Sequence, residues 1–243
     1  MKQTMTLAGI LLAFTLCLTS CGDHNAKSNV NVPTEYCEEL VKLAKNGNVV
    51  AQYNLALCYD QGEGVAQSKT EAANWYRMAA EQGLAQAQFN LGYCYAHGLG
   101  VEQSFADAVV WYKKAAEQGY AQAQYNLGDC YACGKGVVQS DTESVNWCRM
   151  AAEQGLAQAQ YNLGVCYARG LGVEQSFADA VVWYKKAAAQ GDAKAQFNLA
   201  LMYIRGTGVE KSETEAIKLL QKAAEQGLEP AIEILNSIRN GTN

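Results

Sequence analysis

Residues 87–119 read AQFNLGYCYAHGLGVEQSFADAVVWYKKAAEQG and contain two helical patterns separated by a glycine-rich break. In the first pattern, over 87–97, the apolar residues at 87, 91, 94 and 95 recur at the spacing of one helix face. The sequence GLGV at 98–101 then ends the helix, because glycine readily adopts the left-handed conformation that follows a helix. A second helix begins at Ser104, whose hydroxyl can accept a free backbone N–H at the start of the helix. The negative charge of Asp107 interacts favourably with the positive end of the helix dipole. The stretch therefore predicts a helix–turn–helix unit that ends at Gly119.

This unit recurs along the chain with a period of 36 residues, and the period organises the fold. The segments 34–47 and 231–240 match the second and the first half of a copy, so both are expected to be helical caps that close the array. The predicted fold is an all-α solenoid over 34–243. The five full copies are predicted at 51–86, 87–122, 123–158, 159–194 and 195–230.

A longer period is superimposed on the first. The sequence at 99–116 is identical to that at 171–188, and 78–88 is identical to 150–160, so a pair of 72 residues was copied. Glycine inside the first helix costs roughly 1 kcal/mol relative to alanine. Its recurrence therefore predicts a close approach of two helices at Gly92, Gly128 and Gly164.

The repeated motif, with AQYNLG at 123–128 and GLGV at 170–173, resembles the Sel-like repeat (SLR) family, a relative of the tetratricopeptide repeat. The resemblance covers roughly residues 34–240. It implies a right-handed superhelix with a concave groove, and a function as an adaptor that holds other proteins together, often at the bacterial envelope.

The N-terminal segment predicts export. Residues 1–20 combine Lys2 with an apolar core at 7–18, which is too short for a stable membrane span but suits a signal peptide. The tetrad LTSC at 18–21 resembles the bacterial lipobox, which implies lipidation of Cys21; the alternative is an ordinary signal with a chance cysteine. Residues 21–33 are expected to be a flexible tether. The expected location is the envelope, anchored in the outer membrane and facing the periplasm, with surface exposure as an alternative.

Composition and motifs narrow the function. A formal charge of −5 without a basic stripe argues against nucleic-acid binding. The chain has only two histidines and lacks the S-x-x-K, S-D-N and K-T-G elements of serine β-lactamases, so we predict no catalytic residue, no metal site and no cofactor. A cysteine-rich branch of the family has been described as β-lactamase-like, which keeps a β-lactamase-like or cell-wall-acting enzyme as the alternative.

The cysteines fall into separate classes. One repeat position holds cysteine in four copies and Met202 in the fifth, which predicts a buried apolar position rather than a ladder of metal ligands. Cys37 is predicted to lie at about the same height along its helix as Cys58 on the next helix, so these two form a possible disulfide in an exported chain. Cys148 replaces the tyrosine of other copies and is roughly level with Cys166. The four cysteines of the ladder are Cys58, Cys94, Cys130 and Cys166.

Two rows of residues on the first helices are candidates for partner binding. The first is a repeated asparagine, for which the family resemblance implies contact with a peptide in the groove; local hydrogen bonding to backbone is the alternative. The second row lies seven residues further on and varies between copies, which fits a partner-specific surface; simple drift at exposed sites is the alternative. Arg169 and Arg205 there favour an acidic segment of another envelope or secreted protein. A host-interaction factor on the cell surface is a further alternative. The asparagines are Asn54, Asn90, Asn126, Asn162 and Asn198, and the second row is Gln61, His97, Cys133, Arg169 and Arg205.

Overall fold

The computed structural model describes residues 34–239, and within them twelve α-helices follow one another without a strand. The all-α superhelical fold predicted from the sequence is confirmed. The predicted leader, Cys21 and the tether lie outside the described residues. The helices are α1 (Thr34–Lys45), α2 (Val49–Gln61), α3 (Lys69–Glu81), α4 (Ala85–His97), α5 (Phe105–Glu117), α6 (Ala121–Cys133), α7 (Asp141–Glu153), α8 (Ala157–Arg169), α9 (Phe177–Ala189), α10 (Ala193–Arg205), α11 (Glu213–Glu225) and α12 (Glu229–Arg239).

Each helix packs mainly against the helix before it and the helix after it, which is the contact pattern of a solenoid. In the repeats, the even-numbered helices α2 to α10 are the first helices and the odd-numbered helices α3 to α11 are the second helices. Helices α1 and α12 occupy the predicted cap positions at the two ends. In the range 34–239, none of the helices combines the length and the apolar character that a membrane span requires.

Local sequence signals place the helix ends. The hydroxyl of Ser104 accepts the backbone N–H of Asp107 at 3.2 Å and so caps the start of α5. Gly98 ends α4 in the left-handed conformation, with φ of 67°. The next glycine of the loop, Gly100, lies so close to the carbonyl of Lys69 that a side chain could not be accommodated there. The loop of one repeat is thereby held against the start of the second helix of the preceding repeat.

The glycines inside the first helices lie where two helices approach closely, as predicted. A Cβ atom on Gly92 would lie 2.7 Å from Cδ1 of Tyr112, and one on Gly164 would lie 2.6 Å from Cδ1 of Tyr184. In these two repeats the tyrosine ring of the second helix therefore occupies the space that a side chain at the glycine would need.

A ladder of buried glutamines joins consecutive repeats. The Nε2 of Gln88, on α4, donates to the carbonyl of Ala80 at 3.1 Å, and its Oε1 accepts from Nε2 of Gln118 at 2.7 Å. The ladder thus connects the ends of α3 and α5 to the start of α4. Because its amides are satisfied within the protein, their burial carries little cost. Equivalent bonds recur in every repeat around the glutamines Gln52, Gln124, Gln160 and Gln196.

The cysteine ladder belongs to the core, as predicted. Cys58, Cys94 and Cys130 are buried together with Met202 of the fifth repeat, whereas Cys166 is half-buried. Burial disfavours a charged thiolate and raises the pKa of Cys94 to about 12 and that of Cys130 to about 11. These thiols therefore act as small apolar side chains.

Candidate binding surface along the first helices

The predicted asparagine row lies between neighbouring helices rather than on an open surface. Asn54 is only 3% exposed, and its Nδ2 finds no hydrogen-bond partner among the described residues. The four other asparagines are half-buried. Each of these four asparagines lies beside the hydroxyl of a tyrosine.

We call the space between two consecutive first helices a tyrosine slot, because a tyrosine of the second helix between them fills it in three of the four cases. In the second slot, the ring of Tyr112 on α5 packs on Gly92 of α4 and lies 5.9 Å from the ring of Phe89, centroid to centroid. Its hydroxyl forms a hydrogen bond with Asn126 of the next first helix, α6. The slot is therefore bounded by two first helices, with the second helix between them as its floor.

The first and fourth slots repeat this arrangement. Tyr76 lies 6.0 Å from the ring of Tyr53 and bonds to Asn90. In the fourth slot, Nδ2 of Asn198 donates to the hydroxyl of Tyr184 at 3.4 Å. Burial raises the pKa of Tyr184 to about 12, although this hydrogen bond acts in the opposite direction. The asparagine amides thus bind phenols of their own chain, a contact that neither sequence interpretation contained, and partner binding by this row stays a prediction.

The third slot holds no ring, because its second helix carries Cys148 where the others carry tyrosine. Cys148 is 4% exposed, and its thiol donates to the carbonyl of Ala159 at 3.2 Å. Asn162 bonds to the hydroxyl of Tyr125, as Asn90 and Asn198 bond to Tyr53 and Tyr161 in the filled slots. A cavity of about 160 Å³ remains, with its polar lining contributed by Asp129, Ser144 and Asn162. Its remaining walls are Tyr125, Gly128, Ala132, Cys148, Val165 and Cys166.

The variable row occupies the last residue of each first helix, and all five of its side chains are exposed. His97 stacks on Tyr93 with the ring centroids 4.0 Å apart. Arg169 lies near enough to the fourth slot to lower the pKa of Tyr184 against the effect of burial. The Sγ atom of Cys133 lies 4.0 Å from a carboxylate oxygen of Asp129 at the rim of the third slot. Three members of the row, His97, Cys133 and Arg169, therefore border the slots.

A second cavity, of about 200 Å³, lies at the first slot and was not predicted from the sequence. An ion pair at its edge joins Lys69 to Asp60, with 2.8 Å between Nζ and Oδ1. Tyr76, Asn90 and Tyr93 complete most of its wall, so this cavity is more polar than the third slot. The only sequence signal for it is a pair of opposite charges on the two sides of one repeat loop.

Two further predictions concern metal binding and disulfide formation. Among the side chains that the structure describes, residues 38–239, no group of three or more His, Cys, Asp or Glu is arranged to hold a metal ion. The pairing of Cys37 with Cys58 stays a prediction, because the side chain of Cys37 lies outside the described part of the chain.

The Sel1 repeat family model matches this chain five times in succession. Each match starts two residues before the corresponding predicted copy and keeps the period of 36 residues. The start of each match coincides with the start of a first helix. The matched residues are 49–84, 85–120, 121–156, 157–192 and 193–228.

Solved structures agree with this family. A protective antigen of uropathogenic Escherichia coli with an SLR fold is 38% identical to this chain, with a TM-score of 0.82. The match covers 92% of this chain and 47% of the antigen, so this chain spans about half the length of the antigen. A Sel1 repeat protein from Oxalobacter formigenes is 32% identical, with a TM-score of 0.79 and coverage of 94% and 87%. Immunity protein Pa5087 from Pseudomonas aeruginosa, at 21% identity, a TM-score of 0.52 and coverage of 94% and 86%, shares the fold alone. A comparison with curated proteins gives no match. The chain belongs to the Sel1 repeat family.

Proposed function

We propose that this protein is a lipid-anchored adaptor of the bacterial envelope, which binds a segment of another envelope or secreted protein. The proposed binding site is the first-helix surface, the side of the array formed by α2, α4, α6, α8 and α10 with the slots between them. The lipid on Cys21 would hold the array at the membrane, and the tether would let it reach its partner. Sel1 repeats typically mediate protein–protein interaction, which supports the general role.

One observation carries the proposal: the buried framework is the same in every repeat, while the exposed ends of the first helices differ. The glutamine ladder keeps its hydrogen bonds in all five repeats. The last residues of α4, α6 and α8 are histidine, cysteine and arginine, and all three are exposed. A constant scaffold with a varied surface lets each repeat offer different contacts to one partner, which supports specific binding.

The charge of the surface changes along the array. Asp60 and Asp129 lie by the first and third slots, whereas Arg169 and Arg205 end the first helices of the fourth and fifth repeats. A partner segment that is acidic where it meets the fourth and fifth repeats would complement the arginines. Such contacts at the rim favour association rate and orientation more than affinity.

Site-specific crosslinking in cells tests the proposal. A photoreactive residue at His97 or Arg169 is expected to trap one reproducible protein. Val110 and Val182 are matched controls, because they lie on the second helices of the same two repeats and are 51% and 49% exposed. Equal trapping from the control positions, or none from either set, would contradict binding at the first-helix surface.

An enzymatic function is the alternative that activity assays can exclude. We expect purified protein not to hydrolyse nitrocefin, a chromogenic β-lactam. Turnover that is lost when the third slot is filled by Cys148→Tyr would establish a catalytic site in place of an adaptor surface.

Display on the cell surface is a second candidate, favoured by the likeness to a protective antigen at 38% identity. Protease treatment of intact cells separates the two locations. An adaptor that faces the periplasm should survive until the outer membrane is opened, whereas a displayed protein should be cleaved at once.

A further inference from the structure

The third slot differs from its neighbours by what is missing from it. In the first, second and fourth slots the chain supplies its own phenol, from Tyr76, Tyr112 and Tyr184. In the third slot the corresponding side chain is the much smaller Cys148, whose thiol donates a hydrogen bond to the carbonyl of Ala159. The slot holds a cavity of about 160 Å³ in place of the ring, and this cavity is less polar than the one of about 200 Å³ that lies beside the ring of Tyr76 in the first slot.

The walls that would hold a ring are present. Tyr125 lies on α6 at the position of Phe89 and Tyr161, whose rings lie 5.9 and 6.0 Å from the tyrosines of their own slots. Gly128, which corresponds to Gly92 and Gly164, leaves its surface open to a ring. The apolar walls of the slot thus consist of residues whose counterparts pack on a tyrosine ring in the neighbouring slots.

The polar end of the slot is present as well. Asn126 and Asn198 bind the phenol hydroxyls of the second and fourth slots, and Asn162 holds the same place in the third. Asn162 bonds to Tyr125, but its amide can both donate and accept further hydrogen bonds. The slot can therefore receive a hydroxyl as its neighbours do.

Access and size also suit a ring from outside. Cys166, which lines the slot, is half-buried, whereas its counterparts Cys94 and Cys130 are buried beside the tyrosines of their slots. An engineered apolar cavity of about 150 Å³ is known to remain dry and to bind benzene. The exposed carboxylate of Asp129 at the rim disfavours an anionic ligand and so favours a neutral phenol over a benzoate.

We propose that the third slot binds the phenol ring of a tyrosine side chain of the protein partner, with the ring against Tyr125 and Gly128 and the hydroxyl at Asn162. That the ring comes from a partner rests on the adaptor function proposed above, whereas binding of a phenol by the slot stands on the geometry alone. The partner's tyrosine would complete the row of phenols that the chain supplies in the neighbouring slots.

Binding of p-cresol, which is the tyrosine side chain as a free molecule, tests the slot itself. We expect saturable binding to the purified protein by NMR titration, with shifts confined to α6, α7 and α8. Toluene should bind about fivefold more weakly, because it lacks the hydroxyl that Asn162 would bind. Cys148→Tyr, which rebuilds the filled slot, should weaken p-cresol binding at least tenfold. Absence of binding, or equal binding to this variant, would overturn the proposal.

A footprint on the unaltered chain guards against a variant that fails to fold. Bound p-cresol should slow the alkylation of Cys166 and leave that of Cys94, which lines the first slot beside Tyr76, unchanged. An equal effect on the two thiols, or none, would count against the slot as the binding site.

A peptide experiment distinguishes the source of the ring. A blocked tripeptide with a central tyrosine should displace p-cresol, and the same peptide with a central alanine should not. If p-cresol binds but the tyrosine peptide does not compete, the assignment to a partner's tyrosine is wrong, and a free phenol becomes the ligand class. That outcome leaves the adaptor function to be decided by the crosslinking experiment.

Discussion

The second and third slots have the same framework and differ in one decisive side chain. In the second slot, Tyr112 fills the space beside Gly92 and bonds to Asn126. In the third slot, Cys148 leaves that space open while Gly128 and Asn162 stay in place. The comparison shows that a repeat protein can acquire a cavity of defined shape by losing one ring, because the neighbouring repeats hold the walls apart.

The fourth slot makes the comparison stronger. The second and fourth repeats are nearly copies of each other, and both slots are filled. The third repeat resembles the first, in which Tyr76 fills its slot beside Ala56. The missing ring is therefore a property of one substitution and not of the position in the array, whereas the first slot keeps its ring and has a more polar cavity of about 200 Å³ beside it.

The largest expected effect concerns the thiol at the floor of the third slot. Burial raises the pKa of Cys148 to about 12, so the thiol is neutral at pH 8. Relative to an ordinary thiol, this lowers the reactive thiolate fraction by about 10³-fold. We expect iodoacetamide to modify the exposed Cys133 long before Cys148 at pH 8, and the rate at Cys148 to rise as the pH approaches 12. Equal rates at pH 8, measured by mass spectrometry of peptides, would show that the slot is solvated.

The next effect comes from opening the second slot. Tyr112→Cys should lower the free energy of unfolding by about 2–4 kcal/mol, because a buried ring is removed and a cavity is left. Tyr112→Phe is the matched control: it keeps the ring, loses only the bond to Asn126, and should cost about 1 kcal/mol. Denaturant unfolding that gives equal losses for the two variants would mean that the ring does not support the slot.

Filling the third slot should raise the free energy of unfolding, whereas opening the second slot lowers it. Cys148→Tyr is expected to raise the free energy of unfolding by about 0.5–2 kcal/mol, because it fills a cavity that already fits a tyrosine. Cys148→Ala, which leaves the slot empty, should not stabilise the protein. A loss of stability in the tyrosine variant would show that the slot has relaxed away from the shape seen in its neighbours.

The smallest effect distinguishes the two glycines. Alanine gains roughly 1 kcal/mol over glycine inside a helix, but a Cβ on Gly92 would meet the ring of Tyr112 at 2.7 Å. On Gly128 the nearest atom would be the carbonyl oxygen of Ser144 at 3.1 Å, with no ring above it. The free energy of unfolding of the Gly128→Ala variant should therefore be about 1 kcal/mol higher than that of the Gly92→Ala variant, as measured by thermal or denaturant unfolding. The reverse order would contradict the assigned packing.

The sequence was sufficient for the fold because its signals are local. Ser104 and Gly98 mark helix ends by their own chemistry, and the 36-residue period of small and apolar residues fixes the repeat. The close approach at Gly92 could also be predicted, since glycine is costly inside a helix unless a neighbour needs the space.

The contacts between repeats could not be predicted in the same way. The bond between Asn126 and Tyr112 joins residues of different repeats, and periodicity alone does not say which neighbouring helix faces which side chain. The glutamine ladder has the same origin, with Gln88 and Gln118 linked across one repeat. The substitution at Cys148 was visible in the sequence, but the open slot became evident only when the rings around it were placed.

A crystal structure of the protein soaked with 4-bromophenol tests the central claim most directly, because the bromine locates the ligand without ambiguity. We expect one ring in the third slot, against Tyr125 and Gly128, with its hydroxyl within hydrogen-bond distance of the Asn162 amide. An empty third slot, or a ring bound only elsewhere on the array, would contradict the account.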